Sequence, residues 1–266
     1  MTSLPSAYLF VLVTLVGLFI GSFLNVVIYR LPIMLEHDFN ESEAVQSKPM
    51  AQFDLLMPRS HCPLCKKTLR VYELIPVLSF VMLKGRCRGC QRNIPRRYPM
   101  VELLTAASFV TNFWVLGDSL QTVFACLFSS SLIVLAFIDV DQMILPDVIT
   151  LPLIWMGLIL STEHLFVAPE DSILGAVIGY LALWSVDRLY LALRGRHGLG
   201  GGDFKLMAAI GAWLGWMSMP TIILNASGTG LAYALLMLWK RKLGVNSPIY
   251  FGPFLSLSGW IALLLL

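Results

Sequence analysis

The stretch AYLFVLVTLVGLFIGSFLNVVIYR, Ala7–Arg30, carries no Asp, Glu, Lys, Arg or His before its last residue. A helical apolar run of about 17–25 residues matches a hydrocarbon core of roughly 30 Å, so the segment reads as a membrane-spanning helix. With no basic residue ahead of it and no small-residue cleavage site, it reads as a retained helix rather than a signal peptide. The rest of the chain is of the same kind: of its 266 residues, 57% are hydrophobic and 13% charged, far from the composition of a soluble globule. Eight apolar runs stand out, at 7–29, 100–117, 120–138, 148–165, 172–193, 205–219, 221–239 and 249–266. The fourth carries Glu163 near its end, and the sixth is short before Pro220.

Basic loops stay on the cytoplasmic side, and the basic residues sort cleanly on that rule. The span Arg30–Arg97 holds 12 of the 19 Lys+Arg. With the N-terminus outside and eight crossings, Arg188, Arg194, Arg196, Lys205 and Lys240–Lys242 also fall at inside loops, while Asp118, Glu163, Glu170 and Asp171 mark the outside turns. Fusing 205–239 into one helix would move Lys240–Lys242 outside, which supports the short sixth run. The net charge of +3 is then a topology signal and gives no case for nucleic acid.

One region looks soluble, about 31–98, dividing the chain into a first helix (1–30), this domain (31–98) and a membrane core (99–266). Its opening, EHDFNESEAVQSK (36–48), lacks apolar periodicity and reads as a loop. VYELIPVLSFVML (71–83) reads as a short buried or membrane-surface segment, because its glutamate and proline disfavour a span. No internal repeat is visible. Cys62-x2-Cys65 and, 21 residues on, Cys87-x2-Cys90 have the spacing of two knuckles gripping one tetrahedral Zn²⁺, with Pro63 and Gly89 as turn formers. Two disulfides are the competing reading, but they need an oxidising compartment, and the charge count places the region inside. Four ligands close the site, so the metal's role is to fold a small domain. Cys126 reads as packing, and His61 as a neighbour of the site rather than a fifth ligand. The expected fold is thus an all-α polytopic membrane protein of about eight transmembrane helices, with a small cytoplasmic zinc-binding domain between the first and second.

Acidic residues at the ends of spanning helices are costly and are functional candidates by default. Asp139, Asp141 and Asp147 in FIDVDQMILPD and Asp203 in GLGGGDFK qualify on the inner side. The third helix ends at Asp139 and the sixth begins just after Asp203, which puts both at one depth. Two carboxyls sharing a proton suit hydrolysis: one takes a proton from water as the other donates to the carbonyl oxygen. The glycines before Asp203 permit positive φ and close backbone approach; they match neither a dinucleotide nor a phosphate loop. The bland readings are that Asp203 and Asp147 are N-caps, that Asp141 is solvated, and that Asp187 pairs with Arg188. Glu102 is either functional or interfacial, and Asn25, beside Gly21-Ser22, is placed to bond another helix across a close contact.

At these residues the chain resembles the type IV prepilin leader peptidases, membrane aspartic proteases that also N-methylate their product. The blocks are GSFLNVVIYRLP (21–32), the two CxxC pairs, RRYPMVELLTA (96–106), IDVDQMILPDVITLPLIWMGL (138–158), GGGDFKLMAAIGAWLGW (200–216) and PIYFGPFLSLSGWIALL (248–264). The resemblance implies catalytic aspartates at Asp139 and at Asp203, the last residue of a GxGD signature read as Gly200-Gly201-Gly202-Asp203. It places the tetracysteine motif on Cys62, Cys65, Cys87 and Cys90. It implies cleavage of a short basic leader after a glycine at the cytoplasmic face of the bacterial inner membrane, then methylation of the new N-terminal residue by S-adenosylmethionine. The partners implied are prepilins or type II secretion pseudopilins, besides membrane lipid. No common methyltransferase fingerprint occurs; the resemblance links Gly85 in LKGRC to methyl transfer, where the residues alone suggest a turn glycine. The rival readings are a cation-coupled transporter using the inner-face carboxylates, against which no inverted repeat is seen, and a zinc-bearing scaffold, which leaves the glycines before Asp203 unexplained.

Overall fold

The computed structural model describes residues 6–43, 53–62, 64–240 and 249–266. Among them are nine α-helices and no strand: α1 (Ser6–Glu43), α2 (Leu78–Met82), α3 (Arg97–Leu116), α4 (Leu120–Gln142), α5 (Asp147–Thr162), α6 (Pro169–Arg194), α7 (Gly201–Leu214), α8 (Met219–Trp239) and α9 (Gly252–Leu264). Five segments are long and apolar enough to cross a bilayer, Ala7–His37, Arg97–Leu116, Leu120–Gln142, Pro169–Arg194 and Trp216–Trp239, so the chain is a multi-pass membrane protein. The other three apolar runs also form helices, α5, α7 and α9, of 16, 14 and 13 residues. At 1.5 Å per residue they reach about 20–24 Å, less than a hydrocarbon core. Large apolar side chains such as Trp155, Ile159, Leu224 and Leu231 stand exposed on the helices, as lipid-facing positions require.

The chain packs as two compact units, Met1–Thr122 and Val123–Leu266. In the first, α1 lies antiparallel to α3 on a stripe of small residues. A Cβ on Gly17 would sit 2.7 Å from the Ala106 Cα, and one on Gly21 2.7 Å from the Glu102 Cα, so only glycine allows this approach. One turn on, Asn25 Nδ2 donates to the Tyr98 carbonyl at 3.1 Å, the interhelical bond expected of it. α1 does not stop near Arg30. Pro32 forfeits one helical hydrogen bond, but Leu31 and Pro32 are buried and the helix runs on to Glu43. The first part of the expected loop 36–48 is therefore helical, and residues 44–48 lie outside the described residues. Arg30 is itself buried, donating to the carbonyls of Asp54 (2.8 Å) and Pro58 (2.6 Å) and lying over the Phe53 ring; it ties the segment after α1 back to it. VYELIPVLSFVML becomes a 3₁₀ turn, Val71–Leu74, and the five-residue α2. Val71, Leu78, Val81 and Met82 are exposed there, which favours the surface reading of that segment over the buried one.

The second unit is organised around α7. Every residue from Leu206 to Leu214 is buried, and a helix apolar on all sides belongs inside a bundle. α5, α6 and α9 pack against it. Its crossing with α6 is backbone against backbone: a Cβ on Gly175 would meet the Gly211 carbonyl oxygen at 2.2 Å. Ser172 donates to the Ala212 carbonyl at 2.6 Å. On the other side Trp213 stacks on Phe128 of α4 at 4.7 Å and donates its indole N–H to the Leu153 carbonyl of α5 at 2.8 Å. A helix so enclosed by its neighbours is positioned by packing, and its N-terminal residues are held with it.

Candidate active site

Asp203 sits in the first turn of α7, which starts earlier than its apolar run suggests, at Gly201 with Gly200 as N-cap. The Gly200 N–H donates to Asp203 Oδ2 at 3.1 Å, the glutamate half of a capping box played by an aspartate. Asp203 is therefore not the N-cap; it stands at the third helical position, and one of its oxygens caps the Gly200 N–H instead. The other oxygen, Oδ1, is buried and has no hydrogen-bond partner among the described residues. A bare buried carboxylate oxygen is expensive, and such exceptions mark sites of chemistry.

Asp139 lies in the last turn of α4, 5% exposed. Its Oδ2 accepts the backbone N–H of Gly252, the first residue of α9, at 2.9 Å. A Cβ on Gly252 would stand 2.8 Å from that oxygen and 3.2 Å from Leu145 Cδ2. Leu145 also fills the space beside Gly202, whose Cβ would fall 2.7 Å from the Leu145 Cβ. One leucine is thereby wedged between the two backbones that hold the two aspartates. Gly202 precedes Asp203 and Gly252 bonds Asp139, so this leucine brings the two aspartates to one site. Tyr250, just ahead of Gly252, hydrogen-bonds through its hydroxyl to Tyr233 of α8, which steadies the segment presenting Gly252. Neither Gly252 nor Leu145 was identifiable as a site residue before the fold was known; the one signal was the Gly-Pro pair opening an apolar helix.

Of the two uses expected of the glycine-rich approach, the structure shows close approach and not positive φ. None of Gly198, Gly200, Gly201 and Gly202 has a positive φ; at Gly198 and Gly202 the need is for lack of bulk, the Tyr190 ring lying 2.9 Å from a Cβ placed on Gly198. Asp187 does not pair with Arg188, whose guanidinium lies over the Trp184 ring. Adjacent residues on a helix face different ways, and Asp187, 2% exposed, turns to the loop. It accepts the N–H groups of Gly198 (2.8 Å) and Leu199 (3.1 Å) and contacts His197 Nδ1 at 2.7 Å. It is an anchor for the segment leading into Asp203. Asp147 is not an N-cap either; Pro146 holds that position, and both Asp147 oxygens accept from Lys205 Nζ at 2.7 Å. That pair links the first turns of α5 and α7. Asp141 is exposed.

In the first unit the four sulfurs of Cys62, Cys65, Cys87 and Cys90 lie within 4.8 Å of one another. The Cys62–Cys90 and Cys65–Cys87 separations are 3.9 Å, and all four thiols are free. Zn–S bonds of about 2.3 Å in a tetrahedron put sulfurs about 3.8 Å apart, whereas a disulfide is about 2.05 Å. The cluster therefore fits a metal ion. The two knuckles are copies of each other, although no repeat is evident in the letters. Cys62 N–H bonds the Lys67 carbonyl as Cys87 N–H bonds that of Arg92, and Leu69 N–H bonds Ser60 as Ile94 N–H bonds Gly85. The bridges His61–Thr68 and Arg86–Asn93 match in the same way, which leaves His61 beside the cluster, as expected. Backbone N–H groups of Cys90 and Gly89 lower the Cys87 thiol to about 7. Cys65 stands at about 11: a backbone bond from Lys67 lowers it, while burial and the neighbouring sulfurs raise it more. Only a bound cation lets all four ionise together. Pro63 lies outside the described residues.

Gly85 has φ +68°, the left-handed turn that favours glycine. Its N–H bonds the Phe80 carbonyl at 2.8 Å, and a Cβ there would sit 3.0 Å from the Phe80 ring. Glu102 is buried, with Oε2 accepting the Val77 N–H at 2.7 Å.

Known proteins share this organisation. The chain matches the Bacterial Peptidase A24 N-terminal domain over residues 15–116 and the Type IV leader peptidase family over residues 126–235. Relatives named "Prepilin leader peptidase/N-methyltransferase" include one from Aeromonas salmonicida (strain A449), 46% identical over 98% of this chain and 92% of its own length. One from Aeromonas hydrophila is 47% identical over 98% and 92%, and one from Pseudomonas aeruginosa 43% over 96% and 90%. No solved structure matches the chain significantly. Nothing in the fold or among these relatives favours the transporter reading, and the chain belongs to the type IV leader peptidase family.

Proposed function

We propose that this chain is a bifunctional prepilin peptidase in which Asp139 and Asp203 form the catalytic dyad. It cleaves the basic leader of a prepilin or pseudopilin after glycine and methylates the new N-terminal amine with S-adenosylmethionine. The observation that carries the peptidase reading is the pair itself: two buried carboxylates from α4 and α7, each fixed by a glycine N–H, with Asp203 Oδ1 left bare. One ionised carboxyl takes a proton from water as the water oxygen bonds to the scissile carbonyl carbon. The other, protonated, gives its proton to the carbonyl oxygen. The tetrahedral adduct then breaks its C–N bond: the first carboxyl protonates the leaving nitrogen, and the second recovers a proton from the diol. The pair ends as it began, with one proton between two carboxyls.

Eight crossings with the N-terminus in the periplasm, three of them by the short helices α5, α7 and α9, agree with the basic-residue count and set the dyad at the cytoplasmic face of the inner membrane. A precursor with a basic leader in the cytoplasm and an apolar helix in the bilayer presents its junction at that depth. In the 31–98 domain, Cys62, Cys65, Cys87 and Cys90 hold a structural Zn²⁺, and the 99–266 core carries the dyad. When bound, the sulfonium donor supplies an electrophilic methyl group to the neutral N-terminal amine. Gly85 serves that reaction through its turn.

Purified protein in detergent, incubated with a precursor pilin, is expected to release the leader, and with S-adenosylmethionine to add one methyl group to the product, both read by mass spectrometry. No cleaved product under any lipid or detergent condition would sink the peptidase reading. Gly252→Ala tests the support of Asp139. The new methyl falls on the carboxylate, and overpacking of this kind costs about 1–3 kcal/mol. Leader removal is expected to fall about 5- to 150-fold, whereas Gly228→Ala in α8, with nothing within 4 Å of its Cβ, leaves the rate near wild type.

A further inference from the structure

We infer that a cavity of about 510 Å³ in the first unit is the binding site for the sulfonium nucleoside that donates the methyl group, with Glu102 facing its cation and Asn25 accepting a hydrogen bond from it. The inference rests on the methyl-transfer reading above and names the site that serves it. The volume falls within the roughly 300–1,000 Å³ of sites that take ligands of this size. Asn25 and Tyr29 of α1, Glu102 of α3 and Phe80 of α2 are on its wall.

Two observations make this a built site rather than a gap in the packing. Asn25 is 3% exposed, and its Nδ2 is spent on the carbonyls of Gly21 (3.2 Å) and Tyr98 (3.1 Å). Two carbonyl partners fix the amide's orientation, because the flipped amide would set oxygen against oxygen. Oδ1 is then a buried acceptor with no partner among the described residues, in a residue that is on the cavity wall, and such an orphan acceptor calls for a donor. The second observation is a charge. Glu102 is 8% exposed and accepts from the Val77 N–H and the Ser22 hydroxyl, but no cationic side chain pairs with it among the described residues. A buried carboxylate without a paired cation is costly; Arg30, Lys66, Lys67, Arg88 and Arg92 are on the same cavity wall, where they suit the ligand's carboxylate, and none forms an ion pair with Glu102 among the described residues. A ligand with a positively charged sulfur offsets that cost.

The surroundings suit the rest of the molecule. Tyr29 and Phe80 offer aromatic faces to a purine and to the sulfonium. A side chain at residue 85 would press on the Phe80 ring, 3.0 Å from its Cβ. Val77, a β-branched residue, is held at φ +57° beside its bond to Glu102, a strained backbone of the kind that gathers at ligand sites.

The test titrates the purified full chain in detergent with S-adenosylmethionine and, separately, with neutral S-adenosylhomocysteine, by calorimetry. Glu102→Gln is expected to weaken the cationic ligand at least about tenfold more than the neutral one, the loss of one charge-assisted contact. Asn25→Ala is expected to weaken both. A variant that merely unfolds loses both ligands alike, so the selectivity in Glu102→Gln is the deciding quantity. If the wild-type chain binds neither ligand, the methyl-transfer reading itself falls. If it binds both and Glu102→Gln leaves their ratio unchanged, or Asn25→Ala leaves both affinities intact, the cavity assignment is wrong while methyl transfer stands.

Discussion

Replacing either Asp139 or Asp203 by asparagine is expected to reduce leader removal by about 10³-fold or more, within the range that positioned acid–base groups contribute. The amide keeps the shape and can still accept a hydrogen bond from its glycine N–H, Gly252 for residue 139 and Gly200 for residue 203. What it cannot do is take a proton from water or pass one to the carbonyl oxygen. The expected result is therefore a folded protein, unchanged in thermal unfolding and in metal content, that binds precursor and leaves it uncut. Asp147→Asn loses only a partly exposed pair with Lys205, of a kind worth about 1 kcal/mol or less, and should lower the rate no more than a few-fold. A variant at 139 or 203 that processes precursor at the wild-type rate would remove that residue from the dyad.

Loss of the metal is the second large effect. Cys62 and Cys87 are buried and the four sulfurs crowd one point, yet the segment around them has two isolated bridges, one 3₁₀ turn and a five-residue helix as its regular structure among the described residues. So little packing cannot hold a domain of this size. Bound zinc is worth about 10–16 kcal/mol in small structural sites of this kind. The wild-type reduced protein is expected to carry one zinc per chain. Cys62→Ser is expected to lose it and to expose residues 53–95 to protease cleavage. Retention of stoichiometric zinc by that variant, or its absence from the wild type, would refute the assignment.

Much of this was legible in the letters, for reasons that differ by element. Apolar runs announce helices because every backbone group in lipid must be satisfied within its own segment, and all eight runs became helices. The cysteine spacing announced the cluster because knuckle geometry is local. Asp139 and Asp203 emerged from depth in the membrane and from the family's motifs. The features that escaped depend on contacts far apart in the chain or on fine helix geometry. Asp187 was assigned to Arg188 by adjacency, yet neighbours on a helix diverge and its partners are at 197–199. Asp147 followed a proline and looked like a cap; its partner Lys205 lies 58 residues on. Gly252 has no side chain to suggest a role, and its necessity is visible only once Asp139 stands 2.8 Å from the missing Cβ. The glycines before Asp203 can serve by positive φ or by close approach, and the fold uses the second, a distinction that composition does not carry.

The central claim is that Asp139 and Asp203 act as one unit, and the rate of leader removal by Asp139→Asn, Asp203→Asn and the double variant, measured in one assay, tests it most directly. Groups that share one proton fail together, so the double variant is expected to be no slower than either single one. Losses that multiply in the double variant would show two independent groups and contradict the dyad.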